Sequence, residues 1–170
     1  MKVIIVGGVA GGASCAARLR RLDEKAEILM VEKGPYVSYA NCGLPYHIGG
    51  VIEKESSLLV ATAQLFKAQF NVEARTNCEA VAVSAKDKTV TLRNVLTGEE
   101  TIERYDKLVL SPGAVSVRPP LPGIDLPGIF HVRTVPDART INEWIAKGNE
   151  FLAGMDRYSG FQTLRPKTRA

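Results

Sequence analysis

Lys2-Val3-Ile4-Ile5-Val6-Gly7-Gly8-Val9-Ala10-Gly11-Gly12 holds an apolar run, Val3 to Val6, that gives way directly to glycines. Four β-branched residues in succession predict a short strand buried on both faces. Gly11 to about Leu22 reads as a helix, with small residues on its first turns and Arg18, Arg20 and Arg21 near the negative end of its dipole. Ala26–Val31 is a second buried strand, closing on Glu32-Lys33-Gly34-Pro35. Strand, turn, helix and strand within about thirty residues make a parallel β-α-β unit.

A dinucleotide-binding turn needs a glycine for its tight bend, a small residue where the backbone nears the pyrophosphate, and a glycine where helix packs on strand. Gly7 and Gly12 take the first and last of these roles, while Val9 departs from the GxGxxG pattern at the middle one. Backbone N–H groups at Ala10, Gly11 and Gly12 would face an anion at the positive end of the helix. Glu32, with Lys33 beside it, lies twenty residues past Gly12, where a carboxylate can accept hydrogen bonds from ribose hydroxyls.

The totals agree with a globular α/β protein. The chain has 170 residues, 45% of them hydrophobic and 24% charged, enough for one sizeable core. Its net charge of +4 is too mild to argue for nucleic acid, and half of it comes from a basic end holding Arg157, Arg165, Lys167 and Arg169. No apolar run has the length of a membrane span, nor does the start read as a signal peptide, so the expected location is cytoplasmic. Three cysteines without a CxxC pair predict neither a disulfide framework nor a metal site.

Further along, Pro35 to about Gly50 reads as a loop leading into a short helix near Leu44, and Thr62 caps a helix to Phe70. Short strands are expected at 72–74, 80–84, 89–92, 100–102 and 107–110, with a turn at 96–99. The last strand closes on Ser111-Pro112-Gly113-Ala114, and the proline-rich stretch 118–123 must be irregular. Asp137 to about Lys147 is an amphipathic helix with Asp137 as its cap and Ile141, Trp144 and Ile145 on one face.

Among the cysteines, Cys15 sits among helix alanines and Cys78 precedes a strand, both as small apolar residues do. Cys42 differs. It lies in Ser38-Tyr39-Ala40-Asn41-Cys42-Gly43-Leu44-Pro45-Tyr46, just ahead of a predicted helix start, a setting that favours thiolate chemistry. His47 and His131 read as structural.

That segment and the glycine turn together resemble the single-cysteine branch of the FAD-dependent pyridine nucleotide–disulfide oxidoreductases. The branch holds coenzyme A disulfide reductases, CoA-persulfide reductases, NADH oxidases and NADH peroxidases. The resemblance runs from Met1 to about Ile145. It implies a three-layer FAD-binding Rossmann-like domain, with a parallel sheet and a small antiparallel unit, over residues 1–147. It implies Cys42 as the redox nucleophile, since Val37 stands where the wider family has the first cysteine of its CxxxxC pair. FAD would be held by Gly7, Val9, Ala10, Gly11, Gly12, Glu32, Lys33 and the turn Ser111, Pro112, Gly113. By position, coenzyme A would meet Ser14, Arg18, Arg21, Ser38 and Asn41; the basic residue that relatives use after a Phe-Lys-Ala run is Gln69 here, so that contact is lost unless Lys67 substitutes. Ala10 replaces the histidine of peroxidase-like members and favours the CoA-linked ones.

Relatives enter a strand and a second glycine turn for NAD(P)H after the helix at 141–146, and later form homodimers. Here Gly148-Asn149-Glu150-Phe151-Leu152 follows instead. Residues 148–170 are therefore expected to be a divergent tail, the product of truncation or a frameshift, leaving the domain incomplete, without an NAD(P)H site and unable to turn over alone. Reduction of CoA disulfide or CoA persulfide is the leading function, with an NADH oxidase or a non-catalytic FAD-binding fragment as alternatives.

Overall fold

The computed structural model describes the backbone of residues 1–159 and the surroundings of residues 1–148. Strand β1 (Lys2–Val6) runs into helix α1 (Gly11–Leu22) and strand β2 (Glu27–Val31), matching the expected unit. A one-turn helix α2 (Leu44–Ile48) and helix α3 (Ala63–Phe70) precede β3 (Glu73–Arg75). Strands β4 (Cys78–Ser84), β5 (Thr89–Asn94) and β6 (Glu100–Arg104) form an antiparallel meander, and β7 (Lys107–Leu110) returns to the first sheet. Helix α4 (Val135–Ser159) is the last element.

The parallel sheet has the order β3-β2-β1-β7. Strands β1 and β2 are apolar throughout because each face of the sheet is covered. Val3, Ile5, Ile28 and Met30 point to α1 and α3, where they meet Ala13, Ala16 and Phe66. Ile4, Leu29 and Val31 alternate to the other face and pack on Val90 and Leu92 of the meander. Helices, parallel sheet and meander are thus the three layers expected. Each fully buried branched side chain here contributes about 1.5–3 kcal/mol of transfer free energy.

A smaller apolar cluster joins Leu44 and Leu58 to Val135 and Ala138, packing α2 against the start of α4. Arg139 reinforces that contact. Its guanidinium donates to both carboxylate oxygens of Glu55, at 3.0 and 2.6 Å, and to the Tyr36 hydroxyl at 2.8 Å.

Three local readings change. Thr134, not Asp137, caps α4: the Asp137 carboxylate accepts from Thr134 N–H at 2.8 Å while the Thr134 hydroxyl accepts from Asp137 N–H at 3.3 Å, a reciprocal box. The buried face of α4 is carried by Val135 and Ala138, whereas Trp144 and Ile145 are exposed and Trp144 meets Phe130 edge-on. As backbone, α4 also continues to Ser159, past the Gly148 where a change of character was expected. The remainder of the expected tail lies outside the described residues.

Of the arginines near the end of α1, Arg20 does more than face the dipole. It donates to the carbonyls of Phe70, Ala26 and Asn71, tying the ends of α1 and α3 to the start of β2. Cys15 and Cys78 pack against the two main clusters, and burial pushes the Cys78 thiol up.

Candidate functional site

The site forms where β1, β2 and β7 end together, the place at which open α/β sheets bind ligands. Register sets this: Val6 lies opposite both Val31 and Leu110, so the residues that follow all three strands emerge side by side. Gly7 has φ +93°, a conformation open to glycine, and an added Cβ would lie 2.0 Å from the Ser111 carbonyl oxygen. At Gly12 an added Cβ would lie 1.7 Å from the Gly7 carbonyl oxygen. These two glycines therefore do the bending and the close packing predicted for them.

Helix α1 begins at Gly11 with no side-chain cap, leaving its first N–H groups directed at the space beyond. That space is a cavity of about 620 Å³. Val9, Ala10, Gly11, Glu32, Lys33, Ser111, Pro112 and Gly113 all line it, so eight of the ten residues assigned to FAD meet in one hollow, with Gly7 and Gly12 as its supports. Asn41 reaches the same wall.

The Glu32 carboxylate is fixed before any ligand arrives. Gly8 N–H donates to it at 2.7 Å and Gly34 N–H at 2.9 Å, each oxygen keeping a lone pair for a further donor. The hydroxyls of a ribose are suited to those positions.

Several wall residues were not expected. Tyr36, Tyr39, Val95, His131, Arg133 and Asp137 all line the cavity. Burial, with the nearby Glu32 charge, pushes the Tyr39 phenol up. Arg133 is held by its Nε, which donates to the Ala114 carbonyl at 3.0 Å, and it makes no ion pair among the described residues. Its guanidinium lines the same cavity as the uncapped helix amides, and both are groups suited to phosphate. His131 Nε2 stands 3.7 Å from Asp137 Oδ1, which places that histidine in the wall. His47 is structural, its Nδ1 lying 2.7 Å from the Ile52 carbonyl.

Cys42 is exposed, inside a 3-10 turn at Asn41–Gly43 and two residues before α2. The expected helix start is thus a tighter turn leading to a helix of five residues. The entry to this turn is tethered twice. Ser38 N–H donates to the Gly8 carbonyl at 2.9 Å, and Asn41 Nδ2 donates to the Arg133 carbonyl at 3.3 Å. The thiol is thereby carried on a loop fixed to both the glycine turn and the cavity wall. Ser38 itself holds φ +46°, which only an over-determined loop retains.

Ser14, Arg18 and Arg21 are exposed along one face of α1, at helical spacing from Gly11 at the cavity edge. Arg18 and Arg21 enter no hydrogen bond or ion pair among the described residues. Lys67 is elsewhere: it lines a hollow with Glu24, Lys25 and Glu27 at the opposite end of the sheet and bonds Asn71. Among the described residues no cluster of metal-ligating side chains occurs, and no helix is long and apolar enough to cross a membrane.

A cavity at the ends of parallel strands, walled by a glycine turn and a helix start, defines a Rossmann-like dinucleotide-binding fold, and comparison with known proteins agrees. Residues 1–148 match the pyridine nucleotide-disulphide oxidoreductase family, to which the chain belongs. It is 42% identical over 144 residues to the coenzyme A disulfide reductase of Staphylococcus haemolyticus, covering 85% of this chain and 32% of that protein. The crystal structure of reduced Bacillus anthracis CoADR-RHD superposes with a TM-score of 0.84 at 50% identity, over 87% of this chain and 27% of that one. A NAD-dependent persulfide reductase from A. fulgidus gives 0.82 at 35% identity, over 87% and 28%. The chain thus spans about a third of the length of the curated relatives it matches.

Proposed function

We propose that this chain is the FAD-binding part of a reductase of coenzyme A disulfide or CoA persulfide, with Cys42 as its nucleophile. The observation that carries the reading is the convergence of the predicted FAD residues on one cavity beside the tethered cysteine turn. Glu32 would receive ribose hydroxyls, while the amides at the start of α1 and the Arg133 guanidinium would hold the pyrophosphate. The Ser111–Gly113 turn would bound the flavin half of the cavity. FAD would supply two-electron transfer between NAD(P)H and the sulfur centre.

The chain's own chemistry is thiol exchange. Cys42, as thiolate, attacks one sulfur of a CoA disulfide; the sulfur–sulfur bond breaks, a mixed disulfide with Cys42 forms, and one CoA leaves as thiolate. Exposure of Cys42 allows that approach. Arg18 and Arg21, free on the α1 face, would meet CoA phosphates, and Ser14, Ser38 and Asn41 would line the path to the thiol. NAD(P)H use, homodimerisation and a cytoplasmic location belong to the same reading of the full-length relatives.

Mixing the chain with CoA disulfide tests the reading. It predicts one CoA thiol released per chain and a mass gain of one CoA, both absent in Cys42→Ser. Absence of release from the wild-type chain, with Cys42 confirmed as reduced, would refute it. Resemblance within the branch keeps an NADH oxidase as the second reading, and there oxygen would be consumed without CoA release in a full-length relative.

A further inference from the structure

FAD and coenzyme A share an adenosine diphosphate, but the ribose of CoA carries a 3′-phosphate and that of FAD carries free hydroxyls. A protein that uses both must keep one out of the other's site. The wall around Glu32 has a feature suited to this. Lys33 also lines the cavity, and an ammonium there would attract a phosphate on the ribose. That ammonium is already engaged, its Nζ 2.8 Å from Glu79 Oε1.

The fold places Glu79 there. Asn77 N–H donates to the Gly34 carbonyl at 3.0 Å and Cys78 N–H to the Glu32 carbonyl at 2.9 Å, so the start of β4 is pinned against the end of β2. Glu79 is the next residue. Across the meander it stands opposite Arg93, but that guanidinium is occupied by Glu100 at 2.8 Å. Glu79 is therefore available to Lys33, and with Lys33 neutralised the wall keeps the negative charge of Glu32.

We propose that Glu79 is a specificity residue of this cavity, which by engaging Lys33 keeps the ribose wall acidic and so admits the unphosphorylated ribose of FAD while rejecting the 3′-phosphorylated ribose of coenzyme A. This rests on reading the cavity as the FAD site.

The test is displacement of FAD from the chain by 5′-AMP and by adenosine 3′,5′-bisphosphate, ligands that differ only in the ribose phosphate. Following FAD reports this cavity and not the α1 face. In the wild type, AMP is expected to displace FAD at the lower concentration. Glu79→Gln frees Lys33 and should improve the bisphosphate by about two- to five-fold with AMP unchanged, the scale of one exposed charge pair. High salt should shrink the gain, and Glu79→Gln combined with Lys33→Gln should abolish it. An equal effect on both ligands, no effect on either, or a gain that survives in the double variant would overturn the proposal while leaving the FAD reading intact. A wild-type chain that binds no FAD would overturn both.

Discussion

Alanine at Gly12 should be far more damaging than alanine at Gly11, although the two are adjacent in one helix. On intrinsic propensity each change favours the helix by up to about 1 kcal/mol. Sterics separate them. The Cβ at residue 12 would meet the Gly7 carbonyl oxygen at 1.7 Å, the Gly7 carbonyl carbon at 2.9 Å and Ile5 Cγ2 at 3.0 Å. Two of these atoms are backbone, so helix and strand must separate by about 1.5 Å or more to restore ordinary contact. Overpacking of that kind costs about 1–3 kcal/mol or more, leaving a net loss of about 2 kcal/mol after the helix gain. At residue 11 the nearest atom is Ser111 Oγ at 3.3 Å, the end of a side chain that can turn, so the net change should lie within about 0.5 kcal/mol of zero. Gly8→Ala falls between, because its Cβ meets Cγ1 of buried Val37 at 2.8 Å. Urea denaturation gives the order through the shift in midpoint at constant slope, and an FAD titration should show the same order. Equal losses for Gly11→Ala and Gly12→Ala would refute the packing argument.

Three further outcomes follow from the structure. Glu103 accepts from Lys2 and Arg75, both at 2.8 Å, and these bonds hold its carboxyl below the ordinary value of 4.5. The folded state therefore binds fewer protons there than the unfolded one, so the stabilisation is full above pH 4.5 and is lost as pH falls through the depressed value. Glu103→Gln should cost on the order of 1 kcal/mol at pH 7 and flatten the acid side of the stability profile, read by denaturation across pH. Arg139→Ala removes the bonds from α4 to Glu55 and Tyr36 and should cost about 1–2 kcal/mol, loosening FAD binding because Tyr36 and Asp137 share the cavity wall. Finally, a thiol reagent should modify Cys42 rapidly and Cys15 and Cys78 only slowly, as peptide mapping of a brief reaction would show.

The first β-α-β unit was legible because all its signals are contiguous: an apolar run, glycines, an alanine-rich helix and an acid at the end of the next strand. Thr62 was equally plain, accepting from Leu65 N–H at 3.1 Å as an N-cap should. Cavity residues contributed by tertiary convergence were not legible. Val95 arrives from a hairpin turn and Arg133 from the approach to α4, and neither sits in a local pattern that marks a ligand. In Thr134-Val135-Pro136-Asp137 either polar residue can cap a helix, and only the reciprocal bonds show that Thr134 does. The apolar face of α4 was misread because small Ala138 and the first-turn Val135 fill the contact with α2, while bulky Trp144 lies beyond it. Nor was it legible that Lys67 and the arginine-bearing end of α1 come together, Lys67 and Arg20 both bonding Asn71.

Titration of the chain with FAD tests the central claim most directly. The cavity reading predicts saturation at one FAD per chain, with Gly12→Ala losing most of that affinity. A chain that takes up no FAD, or a Gly12→Ala variant that is folded and binds FAD as tightly as the wild type, would contradict it.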